Sequence, residues 1–255
     1  MNYPDSDITR GRRMLMVSAL EETGKFSQRV LKAMGAIPRH IFVEKGLEDF
    51  AYEQNPVAIG AGQTISRPQT VALQSTLLGV ESGSRILEIG TGCGYQTAVL
   101  YYLGAEIFSI ERQEELWQEA AENLRIIGFA TDFDNNDCNE LKRALQKRET
   151  DKVINNKITL RWGDGFEGWS EKAPFDGIIV TCASPRIPEK LVLQLKIGGK
   201  MVVPIDIENR ESEPSSVNKQ QLVMIERIDE EHFKRTVIEE ANFVAMLPGT
   251  EKAQD

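Results

Sequence analysis

From Ser84 onward the chain repeats one pattern, a short β-branched run followed by a helical stretch and then another run. The runs cover residues 85–89, 106–110, 158–162, 177–181 and 200–204. The apolar spacing predicts a helix over about 95–102 after the first run and another over about 113–127 after the second. Parallel strands need a crossover that returns the chain to its starting end, and a packed helix supplies one. The sequence therefore predicts an α/β fold, doubly wound, with a mostly parallel sheet. Two further runs, 221–227 and 233–238, lie close enough to form a hairpin and predict an antiparallel C-terminal edge. An apolar tail at 243–247 follows.

Ahead of this pattern, Met14, Leu15, Val17 and Leu20, then Phe26, Val30, Leu31 and Met34, recur at helical spacing, with Gly24 dividing them into two helices. These form an expected N-terminal helical lobe. Between residues 36 and 67 periodicity fades, and the stretch 58–66 reads as an ordered loop before a helix with Pro68 in its first turn. Residues 132–156 and 206–220 are polar and read as surface excursions; in the first, Leu141, Ala144 and Leu145 mark a short helix capped by Asp137 or Asn139. The whole reads as one domain over 1–255: a lobe and loop over 1–67, a core over 68–205 interrupted by the insertion 132–156, and strands and tail over 206–255.

Composition narrows the function. A formal net charge of −9 argues against a surface built to neutralise many phosphates, so nucleic acid is not an expected partner. No apolar stretch reaches the roughly 18 residues of a membrane span, and the charged N-terminus lacks a signal-peptide core, so a cytoplasmic protein without a membrane partner is expected, as a monomer. Cys93, Cys138 and Cys182 are far apart, and His40 and His232 are the only histidines. Neither a disulfide framework nor a zinc site is readable, and a metal-free mechanism is expected.

The chemistry is concentrated where strands end. Gly90, Gly92 and Gly94 stand between the 85–89 strand and the following helix, where glycine allows a tight turn and a close ligand. A dinucleotide site wants its third glycine one position later, and Tyr95 is there instead. That spacing disfavours a pyrophosphate and suits S-adenosylmethionine, whose sulfonium and ammonium make Glu88 a sensible neighbour. Glu111, 21 positions after Gly90, falls where such folds present a carboxylate to a ribose diol. Asp164 ends the next strand, where it can accept from an adenine amino group while Gly165 leaves room for the ring. Any one of these acids alone is as readily a solvated or capping carboxylate; their joint placement at one sheet edge makes a site.

At this point the chain resembles the protein-L-isoaspartate O-methyltransferases over about residues 14–250. The resemblance rests on Gly62-Gln63-Thr64-Ile65-Ser66 with Pro68, on the 87–95 glycine loop, on Gly163-Asp164-Gly165 with Gly168-Trp169, and on 173–180 with Gln194 and Gly198-Gly199. Residues 36–42 also look like the family. It implies a Rossmann-like methyltransferase fold and S-adenosylmethionine as cofactor, with isoaspartyl-containing peptides and proteins as partners. It further implies that Ser66 is the active-site hydroxyl, that Gln63, Thr64 and Ile65 line the cofactor and the isoaspartyl carboxylate, and that Glu88, Glu111, Asp164 and Gly165 hold the cofactor. Without the family, Ser66 reads as a helix N-cap before Pro68. The product the resemblance implies is a methyl ester that collapses to a succinimide and reopens partly to aspartate, a repair reaction. Departures are Cys93 for a serine, Arg67 for a glutamine, Ala245 where Val-Pro is common, and the 132–156 insertion. Two alternatives stay open: a methyltransferase for a small-molecule or RNA acceptor, and a non-catalytic cofactor-binding adaptor.

Overall fold

The computed structural model describes residues 5–133, 157–207 and 219–253. Two helices open it. In α1 (Asp7–Glu21) the Ser6 hydroxyl accepts from the Thr9 amide at 3.1 Å, and Met16 and Leu20 are buried beside Arg13, whose guanidinium pairs with Asp5 at 2.7 Å. After Gly24, α2 (Gln28–Ala36) buries Val30, Leu31, Ala33 and Met34 along one face.

The 58–66 loop of the sequence reading is a two-stranded antiparallel hairpin, β1 (Val57–Gly60) and β2 (Gln63–Ile65), with Val57 opposite Ile65. It stands apart from the main sheet. The helix predicted at Pro68 is α3 (Pro68–Leu78), closed by Gly79 in the left-handed conformation.

The remaining strands form one eight-stranded sheet in the order β10-β9-β8-β7-β3-β4-β6-β5. They are β3 (Arg85–Ile89), β4 (Glu106–Glu111), β5 (Thr131–Phe133), β6 (Ile158–Trp162), β7 (Phe175–Val180), β8 (Leu195–Asp206), β9 (Gln220–Arg227) and β10 (Phe233–Ala241). Strands β3 to β8 pair in parallel, whereas β8, β9 and β10 pair antiparallel. Helices α4 (Tyr95–Tyr102) and α5 (Glu114–Ile126) match the expected crossovers, and α6 (Glu189–Val192) is a single turn. The chain starts mid-sheet at β3, winds outward through β4, then returns to the other side of β3 as β7. The point of reversal is the β3/β7 junction, where such sheets open a crevice at their carboxyl edge.

Burial follows the strand period. Ile86 and Ile107 join the core under the N-terminal helices, while Leu87, Ile89, Phe108 and Ile110 face the opposite core with Trp169 and Phe175. The expected excursion boundaries shift inward. Asp132 and Phe133 belong to β5, held as the sheet's edge by the Phe133 ring packed edge-on to Trp117 at 5.4 Å. Asp206 and Gln220 face each other as the last rung of the β8–β9 ladder. The short helix expected around Leu141 lies outside the described residues. No helix among the described residues is long and apolar enough to cross a membrane.

Candidate active site

The loops after β3, β4, β6 and β7 converge on one pocket with about 880 Å³ of empty space, part of it open to solvent. Gly90, Gly92, Cys93, Glu111, Gly165, Thr181 and Cys182 come from these strand ends, and Gln63, Thr64, Ile65 and Ser66 from the hairpin. Val244, Ala245, Met246 and Leu247 close it from the C-terminal tail. Eight of the residues singled out by sequence therefore meet in one place: Gln63, Thr64, Ile65, Ser66, Gly90, Gly92, Glu111 and Gly165.

Glu111 is the acid that faces this pocket. Its side chain is 5% exposed and braced from the backbone, one carboxylate oxygen accepting from Gly92 N at 2.9 Å and the other from Gln113 N at 3.0 Å. Burial raises its pKa, against the amides that stabilise its ionised form. The Arg112 backbone also bonds it, and acceptor capacity is left for a ligand. Gly90 has φ +89°, and a Cβ there would lie 2.4 Å from Thr181 Oγ1. That hydroxyl shares its single proton between the carbonyls of Ile89 (3.0 Å) and Gly90 (2.7 Å), clamping β3 to β7 at the crevice.

Glu88 is sealed behind the pocket wall, and Asp164 stands half-buried beside the lining residue Gly165. Glu88 pairs in register with Ser109, so both point to the helix-covered face. Its Oε2 accepts from Thr97 Oγ1 at 2.5 Å and Ser109 Oγ at 2.7 Å, while Oε1 is buried without a partner. Complete burial pushes its pKa up to about 7 despite the two hydroxyls. Asp164 folds back on its own turn, accepting from Phe166 N at 2.8 Å, and its other oxygen accepts from Gly249 N at 2.7 Å. Gly94 also lies behind the lining, where a Cβ would press on Leu124 and Ala120 of α5 at 3.3–3.4 Å. Gly165 borders the pocket, but the position of its missing Cβ is taken by Ile89 at 2.5 Å, so close packing as well as ring access demands glycine.

Ser66 is half-buried and its hydroxyl has no hydrogen bond among the described residues, while its carbonyl accepts from Arg39 Nη2 at 2.6 Å. The N-cap reading of Ser66 is corrected: the cap position is Arg67, with no side-chain cap bond. Proline explains this, because it forces the residue before it into extended backbone and has no N–H for the serine two positions earlier to cap.

The sequence reading missed Thr181, Cys182 and the pocket role of the tail. The tail is bonded to three strand-end loops. Ala183 N donates to Val244 O and Met246 N to Ala183 O, both at 2.7 Å; Gly249 reaches Asp164; and Arg112 pairs with Glu251 at 2.8 Å. Thr181 was within reach, since it ends the strand across the reversal point. Cys93 and Cys182 both line the pocket, and burial pushes each thiol up to about 12, so both behave as packing groups.

A doubly wound sheet with a glycine loop and strand-end carboxylate, but without pyrophosphate spacing, defines the class: an S-adenosylmethionine-dependent methyltransferase. Residues 12–251 match the sequence family described as protein-L-isoaspartate(D-aspartate) O-methyltransferase, and the chain belongs to that family. A protein-L-isoaspartate O-methyltransferase of Flavobacterium psychrophilum is 39% identical over 95% of this chain and 97% of its own. One from Alkalilimnicola ehrlichii is 38% identical over 94% of each. A solved protein-L-isoaspartate O-methyltransferase superposes with TM-score 0.71 at 26% identity over 91% of this chain, which spans 65% of that longer chain. A Plasmodium falciparum structure in complex with S-adenosyl-L-homocysteine shares the fold at TM-score 0.69 and 22% identity, covering 92% of this chain and 98% of that one.

Proposed function

We propose that the chain transfers a methyl group from S-adenosylmethionine to the α-carboxylate of L-isoaspartyl residues in damaged peptides and proteins, opening repair through a succinimide. One observation carries this reading: a family-matched chain places the free hydroxyl of Ser66 in the same pocket as the Gly90–Gly92 loop and Glu111. We read Ser66 as the catalytic hydroxyl, Gln63, Thr64 and Ile65 as lining both the cofactor and the isoaspartyl carboxylate, and Gly90, Gly92, Glu111 and Gly165 as cofactor contacts. Glu88, Gly94 and Asp164 act from behind them, through an ammonium-facing charge, helix packing and a fixed tail.

The residues fit the cofactor. Glu111 turns a backbone-braced carboxylate with acceptor capacity left toward the pocket, as a diol requires. Glu88 adds an acidic group sealed beneath the glycine loop. When bound, S-adenosylmethionine supplies an electrophilic methyl group on a sulfonium. The substrate carboxylate is ionised at neutral pH, so no side chain need remove a proton. Ser66 donates a hydrogen bond that orients this anion, and Ile59, Ile65, Val71 and Met246 keep water from it. We read it further as a cytoplasmic monomer without a membrane partner, and the net charge of −9 argues against nucleic acid as a partner. The test is transfer of labelled methyl to an isoaspartyl peptide beside its normal aspartyl isomer. Labelling of the isoaspartyl peptide alone is expected; equal labelling of both, or none, rejects the proposal.

A further inference from the structure

Arg39 is the one fully buried guanidinium in the described residues, at 0% exposure, and it pairs with no carboxylate there. It begins the 3-10 turn Arg39–Phe42 that follows α2. Its Nε donates to the carbonyl of Ala51 and its Nη2 to that of Ser66, both at 2.6 Å. The guanidinium carbon lies 4.6 Å from the ring centroid of Tyr95, the first residue of α4 and part of the pocket wall. Nη1 and the Tyr95 hydroxyl face this junction without well-formed hydrogen bonds. Burying a cation with no counter-ion is costly, so a solvent-facing or apolar residue would serve simple packing better.

What the guanidinium does that another side chain cannot is span three separate segments. A planar fork reaches two carbonyls at fixed angles and still offers a face to an aromatic ring; an ammonium has a single nitrogen. The three segments are the N-terminal lobe at Ala51, the hairpin exit at Ser66 and the cofactor-side helix at Tyr95. Fixing the Ser66 carbonyl fixes that residue's backbone, and so the direction of its hydroxyl. On the following side, Pro68 holds Arg67 extended at φ −52°, ψ 147°.

We propose that Arg39 is a positioning residue for methyl transfer: it locks the Ser66 backbone against the Tyr95 wall so that the Ser66 hydroxyl meets the substrate carboxylate in line with the cofactor. This rests on the role given to Ser66 above. A lysine at this position keeps the charge and loses the two-carbonyl span.

The test is a double-mutant cycle with the full chain, Arg39→Lys and Ser66→Ala singly and together, read as kcat and KM for an isoaspartyl peptide and as Kd for S-adenosyl-L-homocysteine. Arg39→Lys is expected to lower kcat about 10- to 100-fold, the scale of a misplacement near 1 Å, while both KM and Kd hold. In the Ser66→Ala background the same change should alter kcat by no more than about twofold, because the group it positions is gone. An equal loss in both backgrounds, or no loss in either, overturns the proposal for Arg39 alone. A Ser66→Ala enzyme as active as the parent overturns the reading of Ser66 and this inference with it. If Arg39→Lys fails to fold by urea titration, Arg39→Gln takes its place, since a neutral amide is cheaper to bury, and the same outcomes apply.

Discussion

The two walls of the pocket are built differently. On the cofactor side the loops after β3, β6 and β7 leave strands of one sheet and are bonded straight back to a neighbouring strand. Gly90 N donates to Ile110 O at 2.8 Å, Gly163 N to Glu111 O at 2.9 Å and Thr181 N to Ile89 O at 3.0 Å. The substrate side is assembled from pieces outside that ladder, a two-stranded hairpin fixed by Arg39 and a tail laced to loops by Ala183, Asp164 and Arg112. The cofactor wall is thus rigid by topology, whereas the substrate wall depends on a few named side chains. A fold that hosts many acceptors keeps the first wall and rebuilds the second.

Separable variants follow from this division. The largest effect is expected for Glu111→Ala, which removes the diol acceptor and the brace on Gly92; Kd for S-adenosyl-L-homocysteine should rise about 10- to 100-fold, as for loss of a charged hydrogen-bonding partner. Peptide KM at saturating cofactor should hold. Calorimetry and steady-state kinetics check the two, and an equal rise in peptide KM would erase the distinction between the walls.

A smaller effect should come from Glu88, whose pKa rises from 4.5 to about 7 on burial. From behind the glycine loop only its ionised form attracts the cofactor's ammonium, so affinity should rise with its ionisation between pH 6 and pH 8, by at most about tenfold. Stability of the cofactor-free protein runs the other way. The folded state binds this proton more tightly than the unfolded chain, so the group destabilises progressively from pH 4.5 to about 7. Glu88→Gln should flatten both profiles, followed by calorimetry and urea midpoints. A parent enzyme whose cofactor affinity is flat across this range would detach Glu88 from the cofactor.

The same division governs what could be read from sequence. The parallel strands other than the three-residue edge strand β5 were legible because buried β-branched runs and helical spacing are local signals, and α4 was placed to the residue. The rule that acids at strand ends face a ligand located Glu111, but it does not say which way a side chain turns. Glu88 lies one residue inside β3 on the helix-covered face, whereas Asp164, like Glu111, takes one backbone amide on each oxygen, from its own turn and from Gly249. The hairpin at 57–65 was hidden because its strands are four and three residues long around Gly60-Ala61-Gly62, too short for a period. Its exit residue Ser66 came from family resemblance. Arg39 and the tail carry no local signal at all, since their roles arise from contacts 27 and 85 residues away in the chain.

Ser66 is where the two walls meet, and Ser66→Ala tests the account most directly. Turnover on an isoaspartyl peptide and Kd for S-adenosyl-L-homocysteine should be measured on the same preparation. Turnover is expected to fall about tenfold or more, the scale of losing one oriented hydrogen bond in a transition state, with cofactor affinity unchanged. Unchanged turnover, or a loss of cofactor affinity matching the loss of turnover, would contradict it.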